Sequence, residues 1–158
     1  MPNLTGPQVV LSGATDLNSA SPGHRVLSKA YDVNGNEYVL LGGVASTAIG
    51  TPVTFDENGS TTVLAANAVG PVAVAMAAVT SASNYGWYQI YGNGYALIGD
   101  GVSADAQLYI SGTTGYVSDT DISTEAIIGM VSLAANAVAG GTVQVFLNRP
   151  YVANAAID

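Results

Sequence analysis

Hydrophobic and polar positions alternate along most of the chain, and Gly, Asn and Asp break the alternation at short intervals. The densest stretch covers residues 84–99 and reads Asn-Tyr-Gly-Trp-Tyr-Gln-Ile-Tyr-Gly-Asn-Gly-Tyr-Ala-Leu-Ile-Gly. It holds the only tryptophan, Trp87, together with Tyr85, Tyr88, Tyr91 and Tyr95. Aromatic and β-branched residues favour a pleated, half-buried surface. Gly92-Asn93-Gly94 accepts the positive φ of a tight turn. The pattern predicts a hairpin, with strands over 85–91 and 95–98, at the centre of an all-β domain.

The rest of the chain divides in the same way. Residues 31–41 read as strand, Asn34-Gly35 turn, strand, and residues 51–64 as a second such unit around Asp56-Glu57-Asn58-Gly59. Residues 72–79 alternate large and small apolar side chains, Val-Ala-Val-Ala-Met-Ala-Ala-Val. That fits a strand buried on both faces, with the alanine face admitting a close neighbour; a helix is the alternative. Further strands are expected over 106–110, from Tyr116-Val117, and over 127–131 and 142–147, with a turn at Gly112-Thr-Thr-Gly115. Short strands about ten residues apart indicate a small antiparallel β-barrel or sandwich, of β-tulip or SH3-like type. Leu64-Ala-Ala-Asn67-Ala-Val69 recurs at Leu133–Val138 (133 − 64 = 69 residues on), which predicts a repeated corner feeding a Val-rich strand. Residues 1–30 are punctuated by Pro2, Gly6, Pro7, Gly13, Pro22 and Gly23, with only Gln8, Val9, Val10 and Leu11 able to form a short strand. The expected organisation is an extended arm over 1–30, a β domain over 31–150 and a tail over 151–158.

Composition sharpens this picture. Of 158 residues, 49% are hydrophobic but only 9% are charged, against a usual share of about 25%. A small domain with so few charges is poorly protected from association, which suggests burial against other copies or a partner. The net charge is −8. The basic residues are Arg25, Lys29 and Arg149, and every acid except Asp16 and Asp158 lies between Lys29 and Arg149. Such a body repels phosphate and anionic lipid, so neither nucleic acid nor membrane is an expected partner. Arg25 and Lys29, beside His24, would give the arm a basic base able to dock on an acidic neighbour. Cysteine is absent, which excludes disulfides and thiolate chemistry. The N-terminal residues show no secretory signal pattern. The apolar run over 63–79, interrupted by Asn67 and Pro71, reads as core.

Groups able to carry chemistry are few, and no catalytic residue, metal site or cofactor is expected. His24 is the single histidine, in an irregular stretch, and no G-x-S-x-G pattern is present. Asp32, Asn34, Asn36 and Glu37 resemble part of a calcium loop, but its twelfth position is Gly43, so a hairpin is preferred. Asp119, Asp121 and Glu125 suit either an oxygen-ligand site or the capped first turn of a short helix over 122–126, the preferred reading. No spacing argues for a paired-carboxylate glycosidase. Gly92-Asn93-Gly94 lacks the third glycine of a phosphate-binding loop. Asn3 and Asn58 match the glycosylation pattern and carry no weight without a secretion signal. Alternation places Tyr85, Trp87, Gln89 and Tyr91 on one face and Tyr88 and Ile90 on the other. With aromatics on both faces, the hairpin is core, subunit interface or a sugar-stacking platform.

The series Asn36-Glu37-Tyr38-Val39, Pro52-Val53-Thr54-Phe55-Asp56, Gly70-Pro71-Val72-Ala73-Val74-Ala75 and Gly86-Trp87-Tyr88-Gln89-Ile90-Tyr91-Gly92 resembles the decoration, or cement, proteins of tailed-phage heads. The resemblance covers about residues 31–148. It implies a structural virion protein, not an enzyme, made in the host cytoplasm and placed on the outer capsid surface as a homotrimer. Its partners would be the major capsid protein and its own copies. Gln8, Val9, Val10, Leu11, His24, Arg25, Lys29, Arg149 and Tyr151 are the expected interface residues. The alternative is a carbohydrate- or receptor-binding β module that uses the aromatic stretch.

Overall fold

The computed structural model describes residues 20, 22–45, 47–121 and 125–153. Among these residues ten strands follow one another: β1 (Lys29–Tyr31), β2 (Glu37–Gly42), β3 (Pro52–Phe55), β4 (Thr61–Val63), β5 (Gly70–Ala75), β6 (Tyr85–Leu97), β7 (Gln107–Ile110), β8 (Val117–Ser118), β9 (Ala126–Ser132) and β10 (Thr142–Val152). They form one all-antiparallel sheet ordered β1-β2-β6-β5-β10-β9-β7-β8, with β3 joined to β4 and β5. The sheet folds over its own cores without closing into a continuous barrel. The all-β expectation is met, and the hairpins over 31–41 and 51–64 form as anticipated.

The patterned strands explain why one sheet can enclose several cores. In β5 the valines Val72 and Val74 enter the largest core, with Leu108, Ile127, Met130, Val145 and Leu147. Its alanines Ala73 and Ala75 enter a second core with Val39, Leu41, Val53, Tyr88 and Ile90. The strand is buried on both faces, as its large–small alternation implied, and it ends at Ala75, before Val79. A third core holds Ala30, Tyr38, Leu40 and Trp87. Successive residues of β2 and β6 thus point into different cores, as period-two geometry requires.

Three expectations need correction. First, Gly92-Asn93-Gly94 is no hairpin turn: β6 runs unbroken through it for 13 residues. Its first half pairs with β2 and β5 and its second half with β10, where Gly92, Asn93 and Gly94 lie opposite Leu147, Phe146 and Val145. A long partner strand outweighs the local turn signal, and the glycines serve the change of partner. Gly92 has φ +94°, and a Cβ there would lie 1.9 Å from Asn36 Oδ1. Gln89, buried within the junction, donates from Nε2 to the carbonyls of Tyr91 (3.1 Å) and Asn93 (3.0 Å). Second, Ala126 opens β9 and is not the end of a helical turn; Ile122, Ser123 and Thr124 lie outside the described residues. Third, the expected boundaries cut through strands. Lys29 and Ala30 belong to β1, with Ala30 fully buried, and Tyr151 and Val152 belong to β10.

The repeated hexapeptide forms a corner in both places, with different geometry. Asn67 takes the left-handed conformation (φ 63°), and its N–H donates to Glu125 Oε1 at 2.6 Å. Asn136 instead bridges Val102 and holds the Thr142 carbonyl through Nδ2.

Candidate functional site

The surface feature that gathers the most unusual residues is an apolar cleft of about 370 Å³ floored by Val39, Phe55, Val72 and Ile90. Leu27, Lys29, Pro71, Arg149 and Pro150 form its walls. A second hollow of about 640 Å³ continues past the shared Leu27, Phe55 and Pro71 toward Asp56 and Glu57. The combined groove is therefore apolar in the middle, basic at one end and acidic at the other.

Backbone geometry singles out the same place. Among the described residues, the non-glycine ones with positive φ are Leu27 (69°), Asn67, Asp105 and Arg149 (46°). Asn and Asp tolerate that region through their short polar side chains; Leu and Arg do not, and both line the cleft. Leu27 is pinned by its N–H to the Leu40 carbonyl (2.8 Å), and its side chain covers Gly59. Arg149 sits where the β9–β10 register slips between Leu147 and Tyr151. It also precedes Pro150, a setting that ordinarily favours extended backbone. The bulge turns its guanidinium across the sheet, over the Tyr91 ring (5.1 Å to the centroid) and onto Glu37 Oε2 (2.5 Å). Tyr91 in turn meets Phe146 edge-on, with ring centroids 5.8 Å apart. Strained residues persist only where their surroundings over-determine them, and they concentrate at binding clamps.

The β1–β2 hairpin runs from this cleft to a rigid tip. Asp32 Oδ1 accepts the N–H groups of Asn34 (2.8 Å) and Asn36 (3.0 Å). Its Oδ2 accepts Asn36 Nδ2 (2.7 Å) and the Tyr38 hydroxyl (2.9 Å). Burial alone would raise the Asp32 pKa, but the donors from Asn36, Tyr38 and Asn34 outweigh it and hold the carboxyl below its usual range. Tyr38 is pushed up to about 12, by burial first and by the Asp32 carboxylate second. Tyr31, whose hydroxyl faces Glu37, is raised by that hydrogen bond and then by the charge behind it. Asn36 also ties the tip to β6 by accepting the Asn93 N–H at 3.1 Å.

The structure brings some expected site residues together and separates others. Lys29 and Arg149, from opposite ends of the chain, meet at the cleft, and exposed Tyr151 pairs with Pro71 on its wall. Arg25 is exposed on the approach to β1. His24 lies edge-on to Trp87 (5.7 Å between centroids) and covers it. Gln8, Val9, Val10 and Leu11 fall outside the described residues. Trp87, Tyr88 and Gln89 are core, Tyr85 and Tyr91 are half-buried, and only Tyr95 of the aromatic series is largely exposed. Among the described residues, neither Trp87 Nε1 nor Glu125 Oε2, both buried, has a hydrogen-bond partner. Sequence reasoning missed Leu27, Phe55, Pro71, Ile90 and Pro150, which become neighbours only through pairing of distant strands. It also passed over Val33, whose apolar side chain in an Asp-Val-Asn-Gly turn was a readable signal.

No protein-family model matches the chain, and no curated protein or solved structure shows significant similarity to it.

Proposed function

We propose that the chain is a head decoration protein of a tailed phage. In this reading it sits as a homotrimer on the outer face of an icosahedral capsid and bridges neighbouring major capsid subunits. It is made in the host cytoplasm, performs no reaction, and contacts neither nucleic acid nor membrane. The observation that carries the proposal is the pairing of a charge-poor β body with one strained, apolar, basic-edged groove. That surface is suited to holding protein and offers no constellation for chemistry among the described residues. The motif resemblance adds to it, since Gly86–Gly92 contains Gln89, the side chain that braces the β6 junction. Stabilisation would come from many modest contacts acting together, each linked trimer raising the effective concentration of the next site.

The test is co-sedimentation with heads assembled from the major capsid protein of the same genome, followed by heating the decorated shells. Saturable binding and a raised shell melting temperature are expected. Removal of residues 1–19 should abolish binding while the β domain still unfolds cooperatively. A full-length protein that leaves heads untouched at micromolar concentration refutes the proposal.

A further inference from the structure

Val33 stands at the tip of the β1–β2 hairpin and is 93% exposed, more than any other large hydrophobic residue described. Nothing in the fold requires an apolar side chain there. The turn is closed by the Gly35 N–H on the Asp32 carbonyl (3.2 Å), which makes Val33 its second residue, a position that accepts most side chains. The tip is nevertheless held by the four hydrogen bonds on Asp32 and the Asn36 tether to β6. A rigid loop that presents one apolar side chain beside a carboxylate is preorganised for insertion, so little ordering cost remains at binding.

We infer that the Val33 tip of one copy inserts into the Leu27–Arg149 cleft of a second copy, head to tail. Size and polarity agree: the cleft of about 370 Å³ has an apolar floor and admits a valine with part of its turn. Charge agrees as well. Asp32 accompanies the tip, and the cleft mouth carries exposed Lys29 beside Arg149, whose guanidinium already shares its charge with Glu37 of its own chain, so Lys29 is the cation that meets the loop in a chain of net charge −8. Two copies repel over most of their surface, and this mouth is where an acidic loop meets the opposite sign. The tip cannot fill the cleft of its own chain. Lys29 on the cleft wall opens β1, and Val33 lies in the turn just beyond that same strand, so the two are held apart within one rigid hairpin.

The contact joins different surfaces on the two partners, so it is heterologous and generates a ring when the rotation closes. It supplies the self-association that the decoration reading needs, and rests on that reading only for a ring of three. Exposed Tyr31 (46%) lies beside the tip and would be covered with it.

The absence of cysteine makes the test clean. Val33→Cys and Pro71→Cys are prepared separately, mixed, and oxidised under native conditions. A disulfide-linked mixed dimer is expected, with at least tenfold less of either homodimer. The double variant should yield a covalent closed species of the same size as the native oligomer seen by light scattering. Val33→Asp should shift the oligomer to monomer while its melting temperature, measured at monomeric concentration, stays unchanged. Homodimers of Val33→Cys, an oligomer without mixed cross-links, or a wild-type monomer at high concentration would each overturn the inference. The two readings fail separately. A ring that ignores heads removes the capsid role and leaves the contact, whereas a monomer that binds heads does the reverse.

Discussion

Gln89→Leu removes a single side-chain amide at the point where β6 changes partners. Gln89 is 1% exposed, and its Nε2 holds two carbonyls, those of Tyr91 and Asn93. Leucine fills nearly the same volume, so the cavity contribution is small. Each lost bond is worth about 1 kcal/mol, and each buried carbonyl left unpaired costs roughly 1–3 kcal/mol. Asn93 is exposed, so water can reach its carbonyl, while Tyr91 is half-buried beneath Arg149. The expected loss is therefore about 2–4 kcal/mol, a large part of the roughly 5–15 kcal/mol that holds a domain folded. Urea unfolding followed by emission of the buried, single Trp87 measures it, with an unchanged m-value as the sign of an intact native state. Gln89→Glu supplies the control: at neutral pH a buried carboxylate faces two carbonyl oxygens, so it should be worse than leucine and recover partly in acid, where the protonated form donates once. A loss below about 1 kcal/mol for Gln89→Leu would refute the bracing role, because the amide would then be replaceable by packing alone.

Two other perturbations test the core and its titration. Trp87→Ala should cost about 3–5 kcal/mol by thermal melting, and Trp87→Phe markedly less, because the indole N–H it deletes has no partner among the described residues; equal losses would show that the N–H matters. Tyr38, with its pKa raised to about 12, favours the neutral form in the fold, so its contribution is intact below pH 10 and is lost as pH rises toward 12. Tyr38→Phe should flatten the fall in stability between pH 10 and 12 by about 1–2 kcal/mol, with allowance for solvent screening, in urea titrations across that range; an unchanged slope would place the phenol in water.

What could be read from the sequence follows from how far apart the deciding residues lie. The apolar patterns over 31–41 and 72–79 predicted strands close to the observed Glu37–Gly42 and Gly70–Ala75, because both faces of each strand meet apolar neighbours; the helix that alanine allowed over 72–79 gave way to pairing on both edges. The turns at Asp32 and Asp56 were equally legible, since each carboxylate satisfies N–H groups two and four residues ahead. Gly92-Asn93-Gly94 was misread for the opposite reason. Locally it is a turn, but Val145, Phe146 and Leu147, more than fifty residues on, extend it into a ladder, and Asn36 occupies the space a Cβ would need. The cleft belongs to this second kind. Leu27 and Arg149 look unremarkable among their neighbours in the chain, and their left-handed backbones arise from a pairing with Leu40 and a slipped register with β9. Val33 lies between the two cases. Its turn was readable and its side chain was visible, but the mismatch gains meaning only once the cleft that could receive it exists. An apolar residue that a turn does not need is thus a signal of partnership rather than of folding, and its complement has to be sought among residues brought together by distant strands.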